Sequence, residues 1–219
     1  MLPSVILHNS ISLDGSLIGF EPDMETHYRI AGDYKAEVHL IGSNTAVTGF
    51  ELFGGPPPEE EKDRRRPERD EGLPYWAVID TKGRLKGLLH GLRSFEYCRD
   101  VVVLVSERTP EDYLEYLKER DYRYHLVGDE HVDLGRALEL FRSDYGAKTV
   151  LCDTGKVLGN LLLQKGLVSE VSLLVHPIIV GKSAYNMFGD VEGNIGMKLK
   201  KSETFDNGCV WNVYEMGGE

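Results

Sequence analysis

The chain lacks most of the features that announce a reaction chemistry. Its three cysteines, Cys98, Cys152 and Cys209, lie far apart with no C-x-x-C pair, which excludes a disulfide framework and points to a reducing, cytoplasmic setting. Its seven histidines show neither H-E-x-x-H nor H-x-x-E-H, and no H-x-E is followed by the P-C-x-x-C of a zinc nucleoside deaminase, so no metal site is expected. G-x-G-x-x-G, Walker A, Ser-His-Asp and paired-carboxylate patterns are missing as well. No stretch approaches the ~20 apolar residues of a membrane span. The opening "MLPSVILHNSISLDG" has no basic segment, and its apolar run is too short for a secretory leader. Positive charge is scarce too. With 25 Lys and Arg against 36 Asp and Glu, a net charge of −11 argues against general affinity for nucleic acid or anionic membrane.

What is present is the composition of an ordinary globular protein. The 219 residues, 41% of them hydrophobic, suffice for a core without staples, and the pattern is read as one domain over 1–219. Strand-like runs alternate with helical ones. Strands are expected at 4–12, 38–42, 75–80, 101–107, 122–128 and 148–152. Helices are expected at 24–37 behind Asp23 as N-cap, after Thr109-Pro110, after Asp133 with the stripe Leu134, Ala137, Leu138 and Phe141, and at 157–165. "EVSLLVHPIIVG" predicts a long strand with an irregularity at Pro177. Asn207-Gly208 is the strongest short hairpin signal in the chain. The expected fold is therefore α/β, a mostly parallel central sheet with helices on both faces and an antiparallel C-terminal hairpin. "PPPEEEKDRRRPERDEG" (56–72) carries nearly cancelling charges and little to bury, and predicts a solvated loop.

Chemistry concentrates where strands end. "VLCDTGKVLGNLLLQKG" (150–166) stops a strand at Asp153, turns through Gly155 and becomes a helix, which serves either an anion at a helix start or a plain connection. Asp14-Gly15 follows the first strand, as a surface turn or as an acid at a strand's carboxyl end, where open α/β sheets bind ligands. In "LIGSNTAV" a cap by Ser43 or Asn44 competes with ligand contacts from Gly42 and Thr45. Thr81, Lys82 and Arg84 form a basic turn after the third strand, suited to solvent or to a phosphate.

In order, "SISLDGSLIG", "VHLIGSNTAV", "YWAVIDTKGRL", "VVVLVSERT" and "TVLCDTGKVLGNLLLQKGLVSEVSLLVHPIIVGK" resemble successive blocks of the riboflavin-biosynthesis reductase family. The resemblance runs from Val5 to about Met216 and implies a dihydrofolate-reductase-like fold, NADPH as cofactor, a small-molecule substrate and a homodimer. It implies reduction of a ribosylamino-pyrimidine 5′-phosphate to its ribitylamino form, with Gly42, Thr45, Thr81, Lys82, Asp153, Gly155 and Leu158 toward the cofactor and Asp14 toward the substrate or its proton. Three blocks depart from the family. Its E-G-G-G-T-L reads Asp153-Thr154-Gly155-Lys156-Val157-Leu158, its L-D-G-K reads Leu13-Asp14-Gly15-Ser16, and its D-D-P-R-L falls on "GFELF" (49–53). The cofactor signature survives in part, whereas the cations for a substrate phosphate are missing from their usual places. A paralogous reductase of an unphosphorylated pterin-like or carbonyl compound, or a non-catalytic nucleotide binder, is therefore the alternative expectation.

Overall fold

A computed structural model describes residues 1–217, the side chain of Phe53 excepted. Its strands are β1 (Ser4–Ser12), β2 (Val38–Gly42), β3 (Tyr75–Ile79), β4 (Val101–Val105), β5 (Arg123–Leu126), β6 (Thr149–Cys152), β7 (Glu170–His176), β8 (Met197–Thr204) and β9 (Val210–Met216). Its helices are α1 (Met24–Asp33), α2 (Ser43–Phe53), α3 (Leu89–Ser94), α4 (Glu111–Glu119), α5 (Leu134–Asp144) and α6 (Lys156–Gln164). The chain divides into two compact units, residues 1–3 with 36–148, and residues 4–35 with 149–219.

In the first unit β2, β3, β4 and β5 pair in parallel in that order. The apolar run of β4 is buried throughout, as a parallel strand covered on both faces requires. Val78, Val101, Val103, Leu85, Leu89, Tyr113 and Leu117 fill one core. Each such side chain contributes about 1.5–3 kcal/mol by leaving water. Asp133 caps α5 by accepting from the Arg136 N–H at 3.1 Å, and the Leu134, Ala137, Leu138 and Phe141 stripe is buried as its spacing predicts. Three local expectations change. α2 starts behind Gly42 with no side-chain cap, so neither Ser43 nor Asn44 serves there. α4 starts behind Pro110, while the Thr109 hydroxyl accepts from the Ser106 N–H at 3.0 Å and shapes the preceding turn. α3 arises where the pattern is irregular, because it is short and holds Gly91.

The charged loop is anchored rather than loose. Arg93, 3% exposed, pairs with Asp100 and donates to the carbonyls of Asp63, Arg65, Arg120 and Asp121. Arg69 donates to the carbonyls of Ser94, Phe95 and Cys98, and His90 bonds the Pro57 carbonyl at 2.7 Å. Most acidic and basic side chains of the loop face water, while the buried Arg93 and His90 hold its backbone and the half-buried Arg69 ties it to the carbonyls at and after the end of α3.

In the second unit β1 lies between β6 and β7, parallel to both, and β9 joins β7 antiparallel and pairs with β8. β7 ends at His176, so the strand stops before Pro177 instead of continuing through it. Gly208 has φ +82, the left-handed value that the Asn207-Gly208 turn requires. α1 begins as expected, with Asp23 accepting from the Thr26 N–H at 3.0 Å, but ends at Asp33. Cys98, Cys152 and Cys209 are buried and free.

Candidate active site

Each unit gathers part of the sequence-predicted set at the carboxyl ends of its parallel strands. In the first, the register places Gly42 beside Ile79, so the starts of α2 and of the turn after β3 are neighbours. The buried Asp80 carboxylate accepts from the backbone N–H groups of Arg84 (3.0 Å) and Leu85 (2.9 Å), which closes that turn. Gly83 has φ +67 and lies against the Tyr113 ring. The Arg84 guanidinium donates to Asn44 Oδ1 at the start of α2. Thr81 is half-buried, and Lys82 is exposed and outside every ion pair among the described residues. Arg108 pairs with Glu130 at 2.5 Å, so the similar turn after β4 spends its cation on itself.

In the second unit the β6–α6 turn carries Asp153, Gly155 and Leu158 together. β1 reaches this turn through Asn9, whose Nδ2 donates to the Thr154 carbonyl at 2.9 Å. Gly155 is the N-cap of α6, at φ −68 and ψ 178, a conformation open to any residue, and no side chain caps the helix. The first-turn N–H groups of Lys156, Val157 and Leu158 have no partner within the helix, as at any helix start. Lys156 turns away to Asp190, 2.8 Å distant, and lies over the Tyr185 ring. Two buried amides stand out. Among the described residues Asn9 Oδ1 has no hydrogen-bond partner, and Asn160, 3% exposed, has none at either side-chain atom. Buried polar groups are rarely left this way without a reason. Cys152, one residue before Asp153, is no nucleophile, because burial pushes its thiol well above the ordinary range.

Asp14 is tied to another place. Its carboxylate accepts from Ser12 Oγ (2.6 Å) and from the N–H groups of Val180 (3.2 Å) and Gly181 (2.8 Å). These bonds, the Ser12 hydroxyl first, hold its pKa down at about 2. An acid so placed is ionised near neutral pH. It holds the segment after β7. Ser16, where the resemblance expects lysine, is buried, with its hydroxyl donating to the Ile18 carbonyl and accepting from the Tyr185 N–H, each at 2.8 Å.

Sequence reasoning missed the histidines. His27 on α1 hydrogen-bonds Asp153 Oδ2 through Nε2 at 3.1 Å and Ser10 Oγ through Nδ1 at 3.0 Å. Behind it His8 contacts Ser172 Oγ at 2.9 Å and the His27 carbonyl at 3.3 Å. The signal in the sequence was the spacing of His27, Ile30 and Ala31, which puts the imidazole on the buried face of α1. No group of metal-ligating side chains occurs among the described residues.

Residues 3–211 match the RibD C-terminal domain family. The chain belongs to that family. A 2,5-diamino-6-ribosylamino-4(3H)-pyrimidinone 5′-phosphate reductase of Methanothermobacter thermautotrophicus is 25% identical over 224 aligned positions, covering 96% of this chain and 97% of that protein. Its namesake in Aquifex aeolicus is 33% identical over 81 positions, 36% of this chain and 35% of that one. Among solved structures, a pyrimidine reductase-like protein of Corynebacterium diphtheriae superposes with a TM-score of 0.75 at 16% identity, covering 99% of this chain and 93% of its own. The α/β fold with its mostly parallel strands and antiparallel C-terminal hairpin is thus the RibD-like, dihydrofolate-reductase-like one.

Proposed function

We propose that this protein is an NADPH-dependent reductase that converts the ribosylamino side chain of a pyrimidine 5′-phosphate to the ribitylamino form in riboflavin biosynthesis. Support comes from family membership and from relatives named for that reaction. The observation that carries the reading is the β6–α6 turn, with its uncapped helix start, the Asp153 carboxylate beside it, and the Asn9 Oδ1 and Asn160 amide atoms left without a hydrogen bond among the described residues.

This donor set fits a nicotinamide dinucleotide. Uncapped N–H groups suit phosphate oxygens, buried amides suit a carboxamide, and a carboxylate suits sugar hydroxyls. In this reading Asp153, Gly155 and Leu158 contact the cofactor in the second unit, and Gly42, Thr45, Thr81 and Lys82 in the first. Lys82, exposed and outside any ion pair among the described residues, is the cation for an adenosine 2′-phosphate. The bound cofactor supplies hydride to the sugar's C1′. The protein's residues orient the two reactants and exclude water, which is the protein's share of a reaction whose chemistry the cofactor carries. Asp14 acts indirectly, by fixing the backbone at Val180 and Gly181.

The substrate phosphate needs a cation. In the charged loop Arg64 pairs with Glu59 and Glu61, Arg66 with Asp121, and Arg69 with three carbonyls, so the loop's arginines are largely committed to their own unit. Lys182, exposed in the turn that Asp14 holds, is the better partner. The burial of Ser16 favours a second reading, in which the substrate is an unphosphorylated pterin-like or carbonyl compound. Following NADPH oxidation with the phosphorylated pyrimidine and with its dephosphorylated form decides between them. Preference for the phosphorylated compound supports the first reading, and equal or better turnover without phosphate supports the second.

A further inference from the structure

The side chain that faces Asp153 from α1 is itself held on every side. Asp153 is 24% exposed at its side chain and His27 only 4%. A carboxylate accepts and does not donate, so the His27 Nε2 carries a proton toward Asp153 Oδ2 whether the ring is neutral or charged. In the neutral ring Nδ1 then accepts from the Ser10 hydroxyl, which fixes the tautomer.

The support behind it has one direction. The His27 carbonyl accepts from His8 Nε2, so His8, kept neutral by burial with a pKa near 3, must accept at Nδ1 from the Ser172 hydroxyl. Ser172 in turn accepts from the Trp211 indole N–H at 2.9 Å. The chain Trp211 to Ser172 to His8 thus ends on the backbone of the residue whose side chain grips Asp153. The groups facing the His27 ring are His8, with ring centroids 4.4 Å away, Ser10, Asp153 and Tyr28, the last edge-on at 5.1 Å.

We propose that His27 is a positioning residue for Asp153: through Nε2–H, with its tautomer set by Ser10, it holds the carboxylate in the single orientation in which it meets the nicotinamide nucleotide. The proposal rests on reading the β6–α6 turn as part of the cofactor site. A ligating side chain whose own rotamer is locked by a buried hydrogen-bonded partner loses less freedom on binding, and removing that partner loosens the contact without touching the ligand.

The test is a double-mutant cycle read as NADPH dissociation constants by fluorescence, apart from turnover. Asp153→Asn and His27→Leu should each weaken NADPH about tenfold, the scale of one hydrogen bond to a charged group. In the His27→Leu background Asp153→Asn should add less than about twofold, because coupled residues are not additive. His27→Gln, whose amide nitrogen takes the place of Nε2–H, should restore affinity to within about threefold of wild type, within the scatter of small effects. Additive losses, or a His27→Gln variant as weak as His27→Leu, overturn the positioning role. Should His27→Leu fail to fold, ring-nitrogen chemical shifts of His27 in the wild type decide: a neutral ring protonated at Nε2 supports the proposal, and one protonated at Nδ1 overturns it. A wild-type protein that does not bind NADPH overturns the reading of the site itself, a result distinct from a binder whose losses are additive.

Discussion

Arg93 and Asp100 form an ion pair at 3.0 Å with both side chains buried, and the same guanidinium lies 3.8 Å from the centroid of the Tyr122 ring. Four carbonyls, two of them in the charged loop, complete its hydrogen bonds. Arg93 therefore does for the first unit what a disulfide does elsewhere, fastening a polar excursion to the core. Replacing it with methionine leaves the buried Asp100 with only the more distant Arg123, at 3.8 Å, as a cationic partner, and breaking a buried pair typically costs about 3–5 kcal/mol. Urea denaturation should show that loss. Limited proteolysis should cut the loop between Glu59 and Arg69 faster than in wild type. An unchanged unfolding midpoint would show that the pair is dispensable.

Asp14 makes a pH-dependent contribution whose sign is fixed by its depressed pKa. Its carboxyl titrates at about 2 in the folded chain against an ordinary 3.8, so its stabilisation is complete above about pH 4 and lost as the pH falls toward 2. Melting temperatures of wild type and Asp14→Asn should differ by a constant amount from pH 5 to neutrality and converge in acid, between about pH 4 and about pH 2. A gap that widens on acidification would contradict the hydrogen-bond account of this turn.

How much of this was legible differs between scaffold and site. β1 and β2 follow their apolar runs to the residue, and the Asn207-Gly208 hairpin needed only its turn dipeptide. These are local signals, each complete within a few neighbours. The helix at 89–94 was not legible, because six residues around Gly91 carry too little period to register and tertiary packing forms them. At the site, the strand–turn–helix around Gly155 was visible. The grip on Asp153 was not, since His27 and Asp153 are 126 positions apart and no local pattern links them. The role of Asp14 was obscured for the same reason, because its partners at Val180 and Gly181 lie far along the chain.

Lys82 and Arg84 separate two roles that the sequence had merged. Arg84 is engaged with Asn44, whereas Lys82 is exposed and outside any ion pair among the described residues. Lys82→Ala should therefore weaken NADPH about tenfold and NADH hardly at all, the scale of one charge-assisted contact. Arg84→Ala should affect both cofactors alike, if at all, by loosening the turn. Dissociation constants for both cofactors on both variants check this. Equal loss of NADPH and NADH in Lys82→Ala would remove Lys82 from the 2′-phosphate.

The phosphate partner can be tested in parallel. Changing Arg64, Arg65 and Arg66 to alanine should leave KM for the phosphorylated pyrimidine within about twofold, since surface pairs are worth little. Lys182→Ala should raise it about tenfold. The reverse pattern would return the phosphate to the charged loop.

A homodimer is the expected assembly. Leu13, Ile178 and Ile179 are exposed in the second unit, with the Leu13 N–H bonded to the Ile178 carbonyl at 2.8 Å, and β8 is exposed along its whole length. An edge strand and apolar side chains left in water invite pairing, although Lys198, Lys200 and Lys201 guard that edge against open-ended addition. Light scattering at micromolar concentration should give twice the chain mass of 24.6 kDa, and a monomeric mass would contradict the expectation.

The central claim, that this family member binds and uses NADPH despite its altered glycine turn, is tested most directly by titrating the purified protein with NADPH and following its unfolding. At a cofactor concentration ~100 times the dissociation constant, stability should rise by ~2.7 kcal/mol. The bound cofactor should then be oxidised on addition of the ribosylamino-pyrimidine 5′-phosphate. An unfolding transition that does not move at millimolar NADPH would contradict the account, leaving a protein that keeps the fold without the reduction.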